Sequence, residues 1–176
     1  VGSRILERKF QKKIGDLIND DIVDLLRTKG HNIADQTRSG ISSSGKGPGE
    51  IDIMIRMNNG IPITIIECFR LESCGPKNTV VTQHLMKLLS KYDTHELKRK
   101  FIVVFGEADR FDNLWINYSQ FIKDLNSNDE YGDKYPLSGF SIREDLHNFG
   151  NLKVGISRHE NNGETLEVVH VMLNMK

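Results

Sequence analysis

The sequence predicts an α/β fold, a central mixed β-sheet flanked by helices in a sandwich, and three observations carry that expectation. Residues 51–57 alternate in the period of a strand, with Ile51, Ile53, Ile55 and Met57 set against Asp52, Met54 and Arg56. Two other stretches repeat apolar residues at helical spacing, Val81-Leu85-Leu88-Leu89-Tyr92 and Leu114-Trp115-Tyr118-Phe121-Ile122. The elements also come in the order helix, strands, helix, strand, helix, hairpin. A parallel doubly wound nucleotide binder fits that order less well, because it wants a Gly-rich strand-to-helix turn.

Taken in order, residues from about Ser3 to Lys29 read as a helix. Ile14, Leu17, Ile18, Ile22 and Leu25 form its core face, and Gly30 ends it. Stepping about 100° per residue sets Asp16, Asp20 and Asp24 to the side of that face. Asp21 falls inside the apolar arc, between Leu17 and Leu25, as an inward-facing acid or an edge carboxylate that reaches solvent, and Glu7 does so too if the helix runs unbroken through Gly15. His31–Asp35 reads as a short strand and Gln36–Pro48 as a polar loop. The loop's Gly40-Ile-Ser-Ser-Ser-Gly45-Lys46-Gly47 nearly matches a phosphate-cradling P-loop. Gly47 stands where the Mg²⁺-binding Ser or Thr would be, however, and Pro48 leads into a strand rather than a helix. Arg38 and Lys46 instead make the loop a cationic rim suited to a phosphodiester backbone, or a plain solvated linker.

Asn58-Asn59-Gly60 supplies a turn. The β-branched run Ile61–Leu71 follows as a central strand. Glu72–Asn78 is a loop, and Thr79 is placed to cap a helix reaching about Tyr92. His84, Lys87 and Lys91 line one flank of that helix, as a solvated face or as functional cations. Lys100–Phe105 is a buried strand, and Phe111–Leu125 is a helix whose Trp115 and Tyr118 are expected in the core rather than stacked on bases. Asn126–Pro136 reads as loop and Phe140–Arg143 as a short strand. Leu152–Arg158 and Leu166–Leu173 flank Asn161-Asn162-Gly163 as a hairpin.

At 176 residues the chain is expected to be one domain, 1–176, with a substantial core. Its opening without Met, close to a helix, suggests excision from a longer protein. The 24 basic and 24 acidic residues cancel, so any nucleic-acid surface must be a local patch. Cys68 and Cys74 are too few for a disulfide scaffold, which makes a reducing cytoplasm the default location. No window is long and apolar enough for a membrane helix, and no membrane partner is expected.

Chemistry concentrates in Gly49–Leu71. Glu67 interrupts an apolar strand, and Asp52 is expected opposite it on the partner strand. A carboxylate within a buried strand is costly unless it is paired or holds a metal. Two on neighbouring strands are the oxygen donors that a hard cation such as Mg²⁺, or Mn²⁺ in its place, prefers. The Gly-Glu-x-Asp, hairpin, apolar-apolar-Glu pattern resembles the PD-(D/E)XK, or restriction-endonuclease-like, nuclease superfamily over roughly Ile14 to Phe105.

That resemblance implies a restriction-endonuclease-like α/β sandwich in which Asp52 and Glu67 bind Mg²⁺ and activate water. It also implies a third acid on the first helix, for which Asp21 is the candidate, and a Lys two residues after the Glu. Phe69 occupies that Lys position, and Arg70 points to the opposite face. In some members the Lys comes from the following helix, which makes Lys87 the expected catalytic cation, with Lys91 and Lys46 behind it. His84 then reads as a phosphate contact or a satisfied surface residue. Arg38, Lys46, His84 and Lys91 are the expected nucleic-acid contacts. The succession DQTRSG, GEIDI, IIECFRL and HLMKLLSKYD also resembles nuclease-like domains attached to bacterial defence NTPases.

The implied function is a Mg²⁺-dependent nuclease acting on DNA, alone, as a homodimer, or under a regulatory NTPase domain of the same longer chain. The alternative is a degenerate copy that binds nucleic acid or a protein partner without cleaving. A small-molecule enzyme using the Gly-rich loop would need the P-loop match rejected above.

Overall fold

The computed structural model describes residues 22–35, 51–91, 97–127 and 129–176. Helix α1 is described over residues 22–27 and stops at Gly30, whose φ of 82° is the left-handed conformation that closes helices. Strands β1 (Asn32–Asp35), β2 (Ile51–Arg56) and β3 (Pro62–Leu71) follow as an antiparallel meander. Helix α2 (Thr79–Met86) crosses over to β4 (Arg99–Gly106), which runs parallel to β3. Helix α3 (Phe111–Lys123) and the single turn α4 (Asp129–Gly132) lead to β5 (Leu137–Ile142) and the hairpin β6 (Leu152–Asn161) and β7 (Glu164–Asn174). One seven-stranded mixed sheet results, in the order β1-β2-β3-β4-β7-β6-β5.

The hairpin turn follows from local stereochemistry. Asn162 and Gly163 both take positive φ, 50° and 83°, which matches the right-handed twist of the two strands they join.

The two faces of the sheet bury separate clusters. Ile22, Val23, Leu25 and Leu26 of α1 cover one face, against Ile53, Ile55, Ile66, Cys68 and Phe105. Helices α2 and α3 cover the other, with Leu85, Leu88, Trp115 and Tyr118 packed on Ile65, Phe69, Ile102, Val104 and Val168. Each such side chain contributes about 1.5–3 kcal/mol on leaving water. The arrangement is the helix-flanked mixed sheet that the element order predicts. Trp115 and Tyr118 lie in the core, as expected.

Several local expectations need correction. The side chain that caps α2 is Asn78, not Thr79; its amide oxygen accepts from the Val81 N–H at 2.9 Å. An Asn one position earlier reaches the open N–H groups of the first turn better than Thr79 does from inside it. The α-helix gives way after Met86 to a wider π turn, Lys87–Lys91. Within the supposed loop 126–136, α4 buries Tyr131 completely. The strand expected at Phe140–Arg143 begins earlier, at Leu137, because it pairs along β6.

Candidate functional site

Asp52 and Glu67 are direct register partners on the adjacent strands β2 and β3. Side chains alternate along a strand, so both positions share the face of Met54, Ile65 and Phe69, beneath α2. The Glu67 side chain is 0% exposed. His84, on the buried face of α2, bonds to it, with Nδ1 2.7 Å from Oε1. Against a carboxylate, which only accepts, Nδ1 is the donor in this pair. Beneath the imidazole lies Phe69, two residues beyond Glu67 on the same face; the ring centroids are 4.2 Å apart and the planes differ by 14°.

A carboxylate, an imidazole and an aromatic platform are thus assembled from one strand and one helix. The platform is Phe69, two residues after Glu67 on β3. Arg70 does point the other way, where its guanidinium bonds Glu107.

His84 is a correction. It is buried, not at the surface, and its ring is engaged by Glu67 and Phe69 rather than presented to a phosphate. Lys87 opens the π turn one turn beyond His84, partly buried, and its N–H reaches the carbonyls of Gln83 and His84. Asp21, Arg38 and Lys46 lie outside the described residues, and Asp52 and Lys91 are described by backbone position alone. Among the described residues no three His, Cys, Asp or Glu side chains gather as a metal-binding group. Cys74 is no nucleophile, since burial raises its thiol to about 11 and keeps it protonated.

A second polar cluster, not anticipated from sequence, lies on the same face. Ser157 Oγ stands 2.7 Å from Nε2 of both His159 and His170. Tyr118 OH is 2.7 Å from Nδ1 of His170, and Tyr131 OH is 3.1 Å from Nδ1 of His159. All five side chains are fully buried. One hydroxyl proton serves only one imidazole, so the other ring must donate to Ser157. The chain Tyr118–His170–Ser157–His159–Tyr131 therefore runs its donors in a single direction. Desolvation, aided by the neighbouring His159, lowers His170 to about 3; for His159 desolvation outweighs the raising hydrogen bond to the Tyr135 carbonyl and, with the Lys100 charge, brings it to about 4. Both rings are neutral near pH 7.

The signal for this cluster was partly present in the sequence. His170 alternates with Val168 and Met172, which places it on the inward face of its strand.

Compared with protein-family models, curated proteins and solved structures, the chain matches none. No helix among the described residues is long and apolar enough to cross a membrane.

Proposed function

We propose that this is a metal-dependent phosphodiesterase, a nuclease acting on DNA, built on a restriction-endonuclease-like core. The observation that carries the reading is the register pairing of Asp52 with Glu67 on one face of two adjacent strands. The order of a helix, three antiparallel strands, a crossover helix and a strand parallel to the third supports it, being the order the resemblance implies.

Two carboxylate positions side by side fit a hard divalent cation, Mg²⁺ or Mn²⁺, by the chemistry of their donors. Asp52 and Glu67 would hold it, with Asp21 as a third acid. A bound cation there supplies Lewis acidity and lowers the pKa of a coordinated water. The chain's own contribution is to orient the Glu67 carboxylate, to exclude water around it with the α2 packing, and to offer Lys87 as the cation nearest in sequence to His84. Arg38, Lys46 and Lys91 would meet the DNA backbone. Work as a homodimer, or under an NTPase domain of a longer chain, belongs to the same proposal.

One observation favours a second reading, a module that binds nucleic acid or protein without cleaving. The Phe69 ring fills the place of the usual Lys and is locked under His84.

Plasmid cleavage with Mn²⁺, run beside Asp52→Ala and Glu67→Ala, separates the two. Activity abolished in both variants supports the nuclease. Activity that persists in the variants comes from elsewhere and overturns the assignment. Mn²⁺ uptake without cleavage moves the conclusion to the binding module. Neither cleavage nor uptake removes the metal site altogether.

A further inference from the structure

Resting on this two-carboxylate reading, we infer that His84 is the positioning residue of the site: its Nδ1–H holds the Glu67 carboxylate in the orientation that a divalent cation requires. The 2.7 Å contact joins a carboxyl oxygen to a ring nitrogen in a fully buried position, where hydrogen bonds are electrostatically stronger than in water. The stack on Phe69 fixes the plane of the imidazole, and the bond to Oε1 fixes which edge of the ring faces the acid.

Phe69 has no polar atom to offer Glu67, so its role in the trio is to hold the ring that does. A glutamate has several rotatable bonds, and each is frozen when a cation binds. Freezing the carboxylate beforehand spares that entropy at the moment of binding. The support comes from regular elements, with Glu67 and Phe69 on β3 and His84 on α2, and not from a loop. The bond also accounts for a histidine among Val81, Leu85 and Leu88, where packing alone asks for an apolar residue.

The test is Mn²⁺ binding by calorimetry on the full chain, comparing the wild type with His84→Phe and His84→Asn. His84→Phe keeps a ring on Phe69 and removes the donor. His84→Asn keeps a donor on the corresponding branch of the side chain and removes the stack. Loss of a side chain that orients a metal ligand weakens binding about 10- to 100-fold, and that loss is expected for His84→Phe. His84→Asn is expected to recover most of it, a rescue that a purely space-filling role would not give.

Wild-type affinity in His84→Phe overturns the positioning role alone. A wild-type protein that takes up no Mn²⁺ overturns the metal reading and this role with it. Should His84→Phe fail to fold, ¹⁵N shifts of the wild-type imidazole decide. Nδ1–H, with a shift that moves in Glu67→Gln, supports the role, and a ring protonated at Nε2 only overturns it.

Discussion

Two polar clusters lie on the same sheet face, linked by one transverse row of residues, and they are built to opposite rules. The row runs Asp52, Glu67, Ile102, His170, Gly155, from β2 to β6. Strands are spaced about 4.8 Å apart, so the Glu67 and His170 backbones stand about 10 Å apart, with Ile102 between them. On the β3 side, a fully buried acid meets the imidazole of His84 at 2.7 Å. On the β7 side, five neutral side chains are joined in one hydrogen-bonded chain, with the buried Lys100 close enough for its charge to be felt at His159. A network of neutral rings and hydroxyls has little to offer a cation but ties elements together, here β6 and β7 to α3 and α4. A buried carboxyl group is a costly way to tie elements together, and its oxygens are the donor type a hard cation takes.

Even the packing around the neutral cluster is specific. A Cβ on Gly155 would sit 2.7 Å from Phe140, whose ring meets His170 edge-on at 5.8 Å. The contrast predicts that perturbing the His170 cluster changes the fold and leaves metal uptake alone, and that perturbing Glu67 does the reverse.

The largest effect is expected from acid. His159 and His170 have folded pKa values of about 4 and about 3, below their ordinary 6.5. Above pH 6.5 both are neutral whether the chain is folded or not, and the stability they allow is fully present. Below it the unfolded chain takes up two protons that the folded chain refuses, so stability falls toward the folded pKa values. Each ring approaches a slope of about 1.4 kcal/mol per pH unit. From pH 7 to pH 5 the two together cost about 3–4 kcal/mol. Urea denaturation across that range checks this, and a flat profile would mean the rings are not held neutral.

Ser157→Ala comes next. It leaves two buried imidazole nitrogens without their shared hydroxyl, at about 1–3 kcal/mol for each group left unsatisfied. A loss of about 2–3 kcal/mol is expected, with Mn²⁺ uptake unchanged. Tyr118→Phe removes one partner from one ring and should cost about 1–2 kcal/mol. If both variants have wild-type stability, the network is not a structural tie. If either abolishes metal binding, the two clusters are not separable.

How far the sequence foretold these two regions depends on how local their determinants are. The Asn162-Gly163 turn was legible because φ > 0 at two successive positions is a requirement of the turn itself. The pairing of Asp52 with Glu67 was legible because a short hairpin fixes register. The parallel contact of β4 with β7 was not, since it joins segments more than sixty residues apart in the chain. His84 was half legible. It stands three residues after Val81 and four before Leu88, which puts it within the α2 apolar arc, yet its charge type groups it with Lys87 and Lys91. What periodicity does not reveal is a polar partner waiting across the interface. The Ser157 hub shows the same limit: its inward parity is readable, but its choice of two imidazoles depends on β6 and β7 already being paired.

Glu67→Gln should perturb stability least and function most. Its amide oxygen still accepts the Nδ1–H of His84, so the bond that holds α2 to β3 persists in neutral form. The loss of charge-assisted strength is offset by no longer burying a charge, and the net change in unfolding free energy should lie within about 1 kcal/mol of the wild type. The neutral amide is a poor ligand for a hard cation. On the carboxylate reading, Mn²⁺ uptake is therefore lost, while urea denaturation at pH 7 barely distinguishes the two proteins. A variant with normal stability and normal Mn²⁺ uptake would show that Glu67 is buried for reasons unrelated to metal. A variant that unfolds would show that the acid, like the Ser157 hub, belongs to the architecture of the sheet.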